Sequence, residues 1–261
     1  MKVVGSVAYL VDHYAVPASG HLIDEDQVAG IAADVQSILR DDTGVQAARE
    51  ALTDLVKTDF DSAILESILA APESFDEWRV GEALAEYYLS RVKGCNFPWP
   101  DSRSTRNPNS SGGGVDLIGL QSGERFRFVL AEAKTSHQQA WPPTVLTSRS
   151  HGLHSQLTGL NAGDSRSEWA IKYLIMNGNG RPWFEDVRAA SETYIANKFD
   201  VVIYGVLIHL TNPDQSDLQA QADRLSESLS EPTTMELVAI YLTADSLNKI
   251  AAANVVVETA A

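Results

Sequence analysis

Cysteine is nearly absent: Cys95 is the only one in 261 residues. A single thiol excludes a disulfide framework and any cysteine-built zinc cluster. No apolar run approaches the roughly 20 residues that a membrane span needs. Met1-Lys2-Val3-Val4 opens without the apolar stretch of a secretory signal. The expectation is a soluble cytoplasmic protein with no membrane partner. Positive charge is also scarce, with 20 Lys+Arg against 35 Asp+Glu and a net charge of −15. That balance argues against tight, independent binding to long DNA. The chain shows no internal repeat, low-complexity segment, helix-turn-helix or zinc finger.

The acidity is unevenly spread. Residues 1–76 carry a net −10 and residues 161–261 a net −7, while residues 77–160 carry +2. The one segment that is not acidic contains Arg103, Arg106, Arg125, Arg127 and Arg149. Local basicity of this kind suits contact with a phosphate backbone.

Within that segment lies the most informative stretch. Gly113-Gly114-Val115-Asp116-Leu117-Ile118-Gly119-Leu120 is followed, sixteen residues after Asp116, by Glu132 in Leu130-Ala131-Glu132-Ala133-Lys134-Thr135-Ser136. The pattern reads as two neighbouring strands. Side chains two apart on a strand share a face, so Glu132 and Lys134 project together and Ala133 turns the other way. Two acids and a lysine at adjacent strand ends can hold a divalent cation and position or deprotonate a water. Those are the requirements of metal-assisted phosphodiester hydrolysis.

The surrounding pattern is α/β. Val7–Val11 reads as an early strand, and Asp24–Leu69 reads as acidic helices broken at Asp41-Asp42-Thr43-Gly44. Asp76–Arg91 is a helix with Glu82 and Glu86 four apart on one face. Residues 94–114 form a long loop ending in three glycines, and strands are predicted near 115–120 and 126–133. Helices are expected at 150–162 and 166–177, and an unbroken apolar strand at Val201–Ile208 suits the middle of a sheet. A helix at 215–229, a strand at Leu237–Leu242 and a helix at 244–253 complete the pattern. The implied organisation is an N-terminal helical lobe, residues 1–75, before a mixed-sheet domain at 76–261.

The order Asp strand, then Glu-x-Lys strand, behind a Glu-bearing helix resembles the PD-(D/E)xK nuclease superfamily. Here Val115 stands where the motif's proline is often found. The resemblance implies a restriction endonuclease-like mixed β-sheet core flanked by helices, here with an N-terminal helical extension. It implies Asp116 and Glu132 as ligands of Mg²⁺ or Mn²⁺, with the Ala133 backbone carbonyl joining them. Lys134 would act on the attacking water or the phosphorane oxygens, and Glu82 or Glu86 would complete the ligand set. Some related nucleases place a Gln on the helix after the Glu-x-Lys strand, and Gln156 falls there without the Tyr that usually follows four residues on. His151 and His154 on that segment are expected to be solvated or to lie behind the ligands.

Trp78-Arg79-Val80-Gly81-Glu82 through Leu89, then Glu132-Ala133-Lys134-Thr135-Ser136, is also similar to the nuclease subunit of the Hachiman anti-phage system and to the Abp phage-defence nuclease. That likeness implies DNA as substrate and a superfamily 2 helicase as partner. The competing expectations are a stand-alone restriction or repair nuclease, and a catalytically silent nucleic-acid-binding adaptor of the same fold.

Overall fold

The eight apolar residues Val201–Ile208 set the middle of the molecule. The computed structural model, which describes residues 4–70, 74–98 and 114–253, buries the whole of the strand they form, β6 (Val202–His209). A strand buried on both faces needs neighbours on each side and a layer above and below.

Among the described residues, β6 lies in a sheet of seven strands. β1 (Ser6–Val11) and β2 (Ala18–Leu22) form a hairpin, followed later by β3 (Cys95–Asn96), β4 (Leu117–Gln121), β5 (Arg127–Ser136), β6 and β7 (Thr234–Tyr241). They lie in the order β1-β2-β7-β6-β5-β4-β3. The pairs β2–β7, β7–β6 and β6–β5 are parallel, and β1–β2, β5–β4 and β4–β3 are antiparallel. The fold class is therefore α/β with a mixed sheet.

Helices cover both faces. On one side α1 (Glu25–Arg40), α4 (Glu77–Val92) and α10 (Ser246–Ala252) pack on Val129, Ala131, Ala133, Val206 and Ile208. On the other, α5 (Thr144–Thr147), α6 (Leu153–Asn161), α7 (Ser165–Gly178), α8 (Phe184–Ala196) and α9 (Gln219–Ser228) pack on Phe128, Leu130, Ile203 and Leu207. The alternation along β5 is the period-two rule at work. Local signals fix where helices begin. Asp24 and Gln27 form a capping box on α1, and Asp164 caps α7 through the N–H groups of Arg166 and Ser167.

The expected division near residue 75 needs correction. The sequence predicts one early strand, whereas two form, and β2 pairs with β7 in the main sheet. Val28, Ile31 and Val35 of α1 join the same core as α4. Residues 6–40 thus belong to the sheet and its covering layer. Among the described residues before α4, only α2 (Asp42–Leu52), a 3₁₀ turn at Thr53–Leu55 and α3 (Asp59–Leu69) form elements that stand outside, with no buried residue among them. Helical periodicity finds a helix, but it does not say which helices share a core.

Beyond the end of β5, a buried polar cluster ties the strands together. His209 Nε2 donates to the Gln138 carbonyl (2.7 Å), and Nδ1 lies 2.8 Å from Asp217 Oδ2. Tyr241 donates to the same Asp217 oxygen (2.8 Å) and lies 2.9 Å from the Tyr9 hydroxyl. The segment leaving β5 is thereby fastened to β6 and β7. Of the arginines singled out in the sequence, Arg103 and Arg106 lie outside the described residues, as does Gly113.

Candidate active site

β4 stops pairing before β5 does, and the candidate site sits where they part. The last β4–β5 pair is Leu117 with Ala131, while β5 continues beside β6 as far as Ser136 opposite His209. Asp116, one residue before β4, turns its Oδ2 to accept the N–H of Ala133 at 2.9 Å. On a strand, one residue's N–H and C=O face the same neighbour. The Ala133 carbonyl therefore looks into the gap that β4 leaves.

Glu132 and Lys134 project to the face covered by α6. Their register partners are Gly205 and Leu207, and a Cβ on Gly205 would meet Leu157 and Leu153. The Lys134 ammonium lies 3.8 Å from Asp116 Oδ2 and 3.9 Å from Glu132 Oε2. Glu132 is fully buried, whereas the Asp116 and Lys134 side chains keep about a fifth of their surface. Burial, and then the nearby Asp116 carboxylate, hold the Glu132 carboxyl well above the ordinary glutamate range, while Lys134 and Arg166 pull it down.

Arg166 is the residue that the sequence did not disclose. Its Nη1 reaches Glu132 Oε1 at 3.5 Å, its Nε donates to Asp164 Oδ2 at 2.8 Å, and its Nη2 donates to the Gln156 carbonyl at 2.9 Å. Gly159 leaves room for this arrangement, since a Cβ there would come within 2.6 Å of Arg166 Nη2. One signal was available. A cation in the first turn opposes the helix dipole, so Arg166, two residues after the Asp164 cap, implies a specific use. Three residues along the same helix, Trp169 is exposed and stacks on Tyr173 with ring centroids 5.6 Å apart.

The structure brings together Asp116, Glu132, Lys134 and the backbone of Gln156, the last through Arg166. The Gln156 side-chain oxygen is buried without a hydrogen-bond partner among the described residues. Glu82 and Glu86 stand differently. Their helix packs on the opposite face of the sheet, where Gly81 abuts Thr135. Glu86 lines a cavity of about 370 Å³ with Asp34, Ser90 and Arg91, between α1 and α4. Both glutamates are buried, and neither shares the face of Glu132 and Lys134. Among the described residues no three His, Cys, Asp or Glu side chains form a group that could hold a metal ion, so the expected third protein ligand is not assembled with the first two.

Arg125 and Arg127 also require correction. Arg127 opens β5, about 23 Å along the strand from Lys134 at 3.3 Å per residue, and Arg125 lies two residues before it. Both are paired with Asp200, and Arg127 also donates to Thr234. Arg149 and His151 are exposed before α6. His154 is half-buried, and burial lowers its pKa.

The donor set fits a hard divalent cation. Glu132 Oε2 is buried with no hydrogen-bond partner among the described residues, and a carboxylate oxygen in that state is rarely left so. Two carboxylates with retained waters and substrate oxygens satisfy Mg²⁺ without a full protein cage. Compared with known protein families and with curated proteins, the chain matches none. No helix of the described residues is long and apolar enough to cross a membrane.

Proposed function

We propose that this chain is a metal-dependent DNA nuclease that hydrolyses phosphodiester bonds. The observation that carries the reading is the buried Oε2 of Glu132, which has no hydrogen-bond partner among the described residues and lies 3.9 Å from the Lys134 ammonium, beside Asp116, where β4 and β5 part. Asp116 and Glu132 are the side chains suited to hold Mg²⁺ or Mn²⁺, with the Ala133 carbonyl facing the same gap. When bound, the ion supplies Lewis-acid polarisation of a phosphoryl oxygen and a more acidic water. Lys134 carries an ammonium beside both acids, placed to orient the attacking water or to stabilise charge on the phosphorane oxygens. Arg166 holds the Glu132 carboxylate in one orientation. The stacked Trp169–Tyr173 pair, on the helix that bears Arg166, offers an aromatic face to a nucleobase.

The proposal extends to anti-phage defence beside a superfamily 2 helicase. Its support is the likeness of the Trp78–Leu89 helix and the Glu132–Ser136 strand to the Hachiman nuclease subunit, together with an acidic exterior that favours delivery of DNA by a partner. The lack of a third acidic, His or Cys ligand among the described residues is what favours the second reading, a silent nucleic-acid-binding adaptor.

Plasmid nicking with Mg²⁺ or Mn²⁺, with and without a co-encoded helicase, separates the two. Lys134→Ala is expected to lower cleavage by about 100-fold or more while Mn²⁺ still binds. Asp116→Ala is expected to lose both cleavage and Mn²⁺ binding. Full cleavage by Lys134→Ala would remove the catalytic assignment. A wild-type chain that binds DNA but never cuts it would leave the adaptor.

A further inference from the structure

Helix α3 carries apolar side chains on two faces and uses only one. Leu65 and Leu69 are half-buried. Phe60 and Ile68 are 73% exposed and Ile64 is 45% exposed. Positions four apart share a helix face, so these three form a stripe about 12 Å long at 1.5 Å per residue. Leu55, in the turn that leads into α3, is also exposed.

The hairpin is braced from within. Arg49 on α2 pairs with Glu66 on α3 at 2.8 Å, and Thr58 and Asp61 form a capping box. These contacts are exposed, and exposed ion pairs contribute little. An isolated eleven-residue helix is marginal in water. A hairpin that buries none of its residues yet displays a phenylalanine and two isoleucines in register has the composition of half an interface.

Charge selects the other half. Residues 41–69 contain seven acidic residues against two basic, and one of the two, Arg49, is already paired with Glu66. A second copy would set like charge against like, and an anionic bilayer would be repelled in the same way. We infer that the Phe60–Ile64–Ile68 face of α3 is a docking surface for an amphipathic helix of a partner protein, one whose apolar stripe is flanked by Lys and Arg. Helix-on-helix packing of this kind reads side chains at three- and four-residue spacing. The proposal is independent of the nuclease reading, because it uses none of the groups around Glu132.

The test uses the full chain and a labelled peptide of about 18 residues, with Leu at helical spacing and Lys elsewhere. A peptide of the same composition with its periodicity broken is the control. The wild type is expected to bind the first peptide and not the second, and more weakly as salt is raised. Phe60→Glu/Ile68→Glu is expected to weaken binding about tenfold or more. Its thermal unfolding should match wild type, because both sites are exposed. Equal binding by the double variant, equal binding of both peptides, or no binding by wild type would each overturn the proposal. So would wild-type dimerisation in sedimentation velocity, or adsorption to anionic vesicles, that the double variant abolishes.

Discussion

Glu132 must shed a proton before it can hold a cation, and its surroundings resist that loss. Its folded pKa lies above the ordinary glutamate value. Below that ordinary value both folded and unfolded chains are protonated there and no stability is lost. As pH rises toward the folded value, the native state retains a proton that the unfolded state has released, and stability without metal falls. Affinity for Mn²⁺ is expected to rise over the same window, because the ion competes with that proton. Arg166 favours the charged carboxylate. Arg166→Gln is therefore expected to move the midpoint of Mn²⁺ binding to higher pH, measured by calorimetry across a pH series. An unmoved or lowered midpoint would show that Arg166 does not act on Glu132. The sequence made Asp116, Glu132 and Lys134 legible because strand alternation alone places two of them on one face. Arg166 stayed hidden because its reach depends on how α7 lies against β4 and α8, a tertiary fact with no local period.

At the scale of the element, α4 and β5 approach closely at Gly81. A Cβ on Gly81 would lie 2.1 Å from Thr135 Oγ1. Gly81→Ala is expected to cost about 1–3 kcal/mol through overpacking, read as a drop of roughly 2–4 °C in Tm per kcal/mol. Adding Thr135→Ala should restore most of the loss, whereas an undiminished loss would place the strain elsewhere. The same approach explains the misread glutamates. Helical spacing put Glu82 and Glu86 together on one face, as it should, but it cannot tell which side of a sheet a helix will cover. β5 was likewise legible to about Ala133 and then runs on to Ser136, because β6 continues to pair with it after β4 has stopped. Arg125 and Arg127, close in sequence to Glu132, lie at the other end of that strand, where Asp200 takes their charge.

For the whole molecule, a net charge of −15 with the strand-start arginines already paired leaves little surplus cation for a phosphate backbone. The isolated chain is expected to bind duplex DNA no more tightly than about 10⁻⁶ M at physiological salt. Fluorescence anisotropy would check this, and nanomolar affinity for the chain alone would contradict it. The α/β class could be read from strands alternating with helices, and the domain division could not. Composition marks residues 1–75 as different, but only the pairing of Ala18–Leu22 with Leu237–Tyr241 shows that β2 belongs to the sheet. That pairing has a further consequence during synthesis. A ribosome delivers the β1–β2 hairpin first, and its sheet neighbour is not made until some 200 residues later, after tens of seconds at 5–20 residues per second. Until β7 emerges, one flank of the hairpin has no strand to pair with, and the nascent chain is open to chaperones and mispairing throughout that interval.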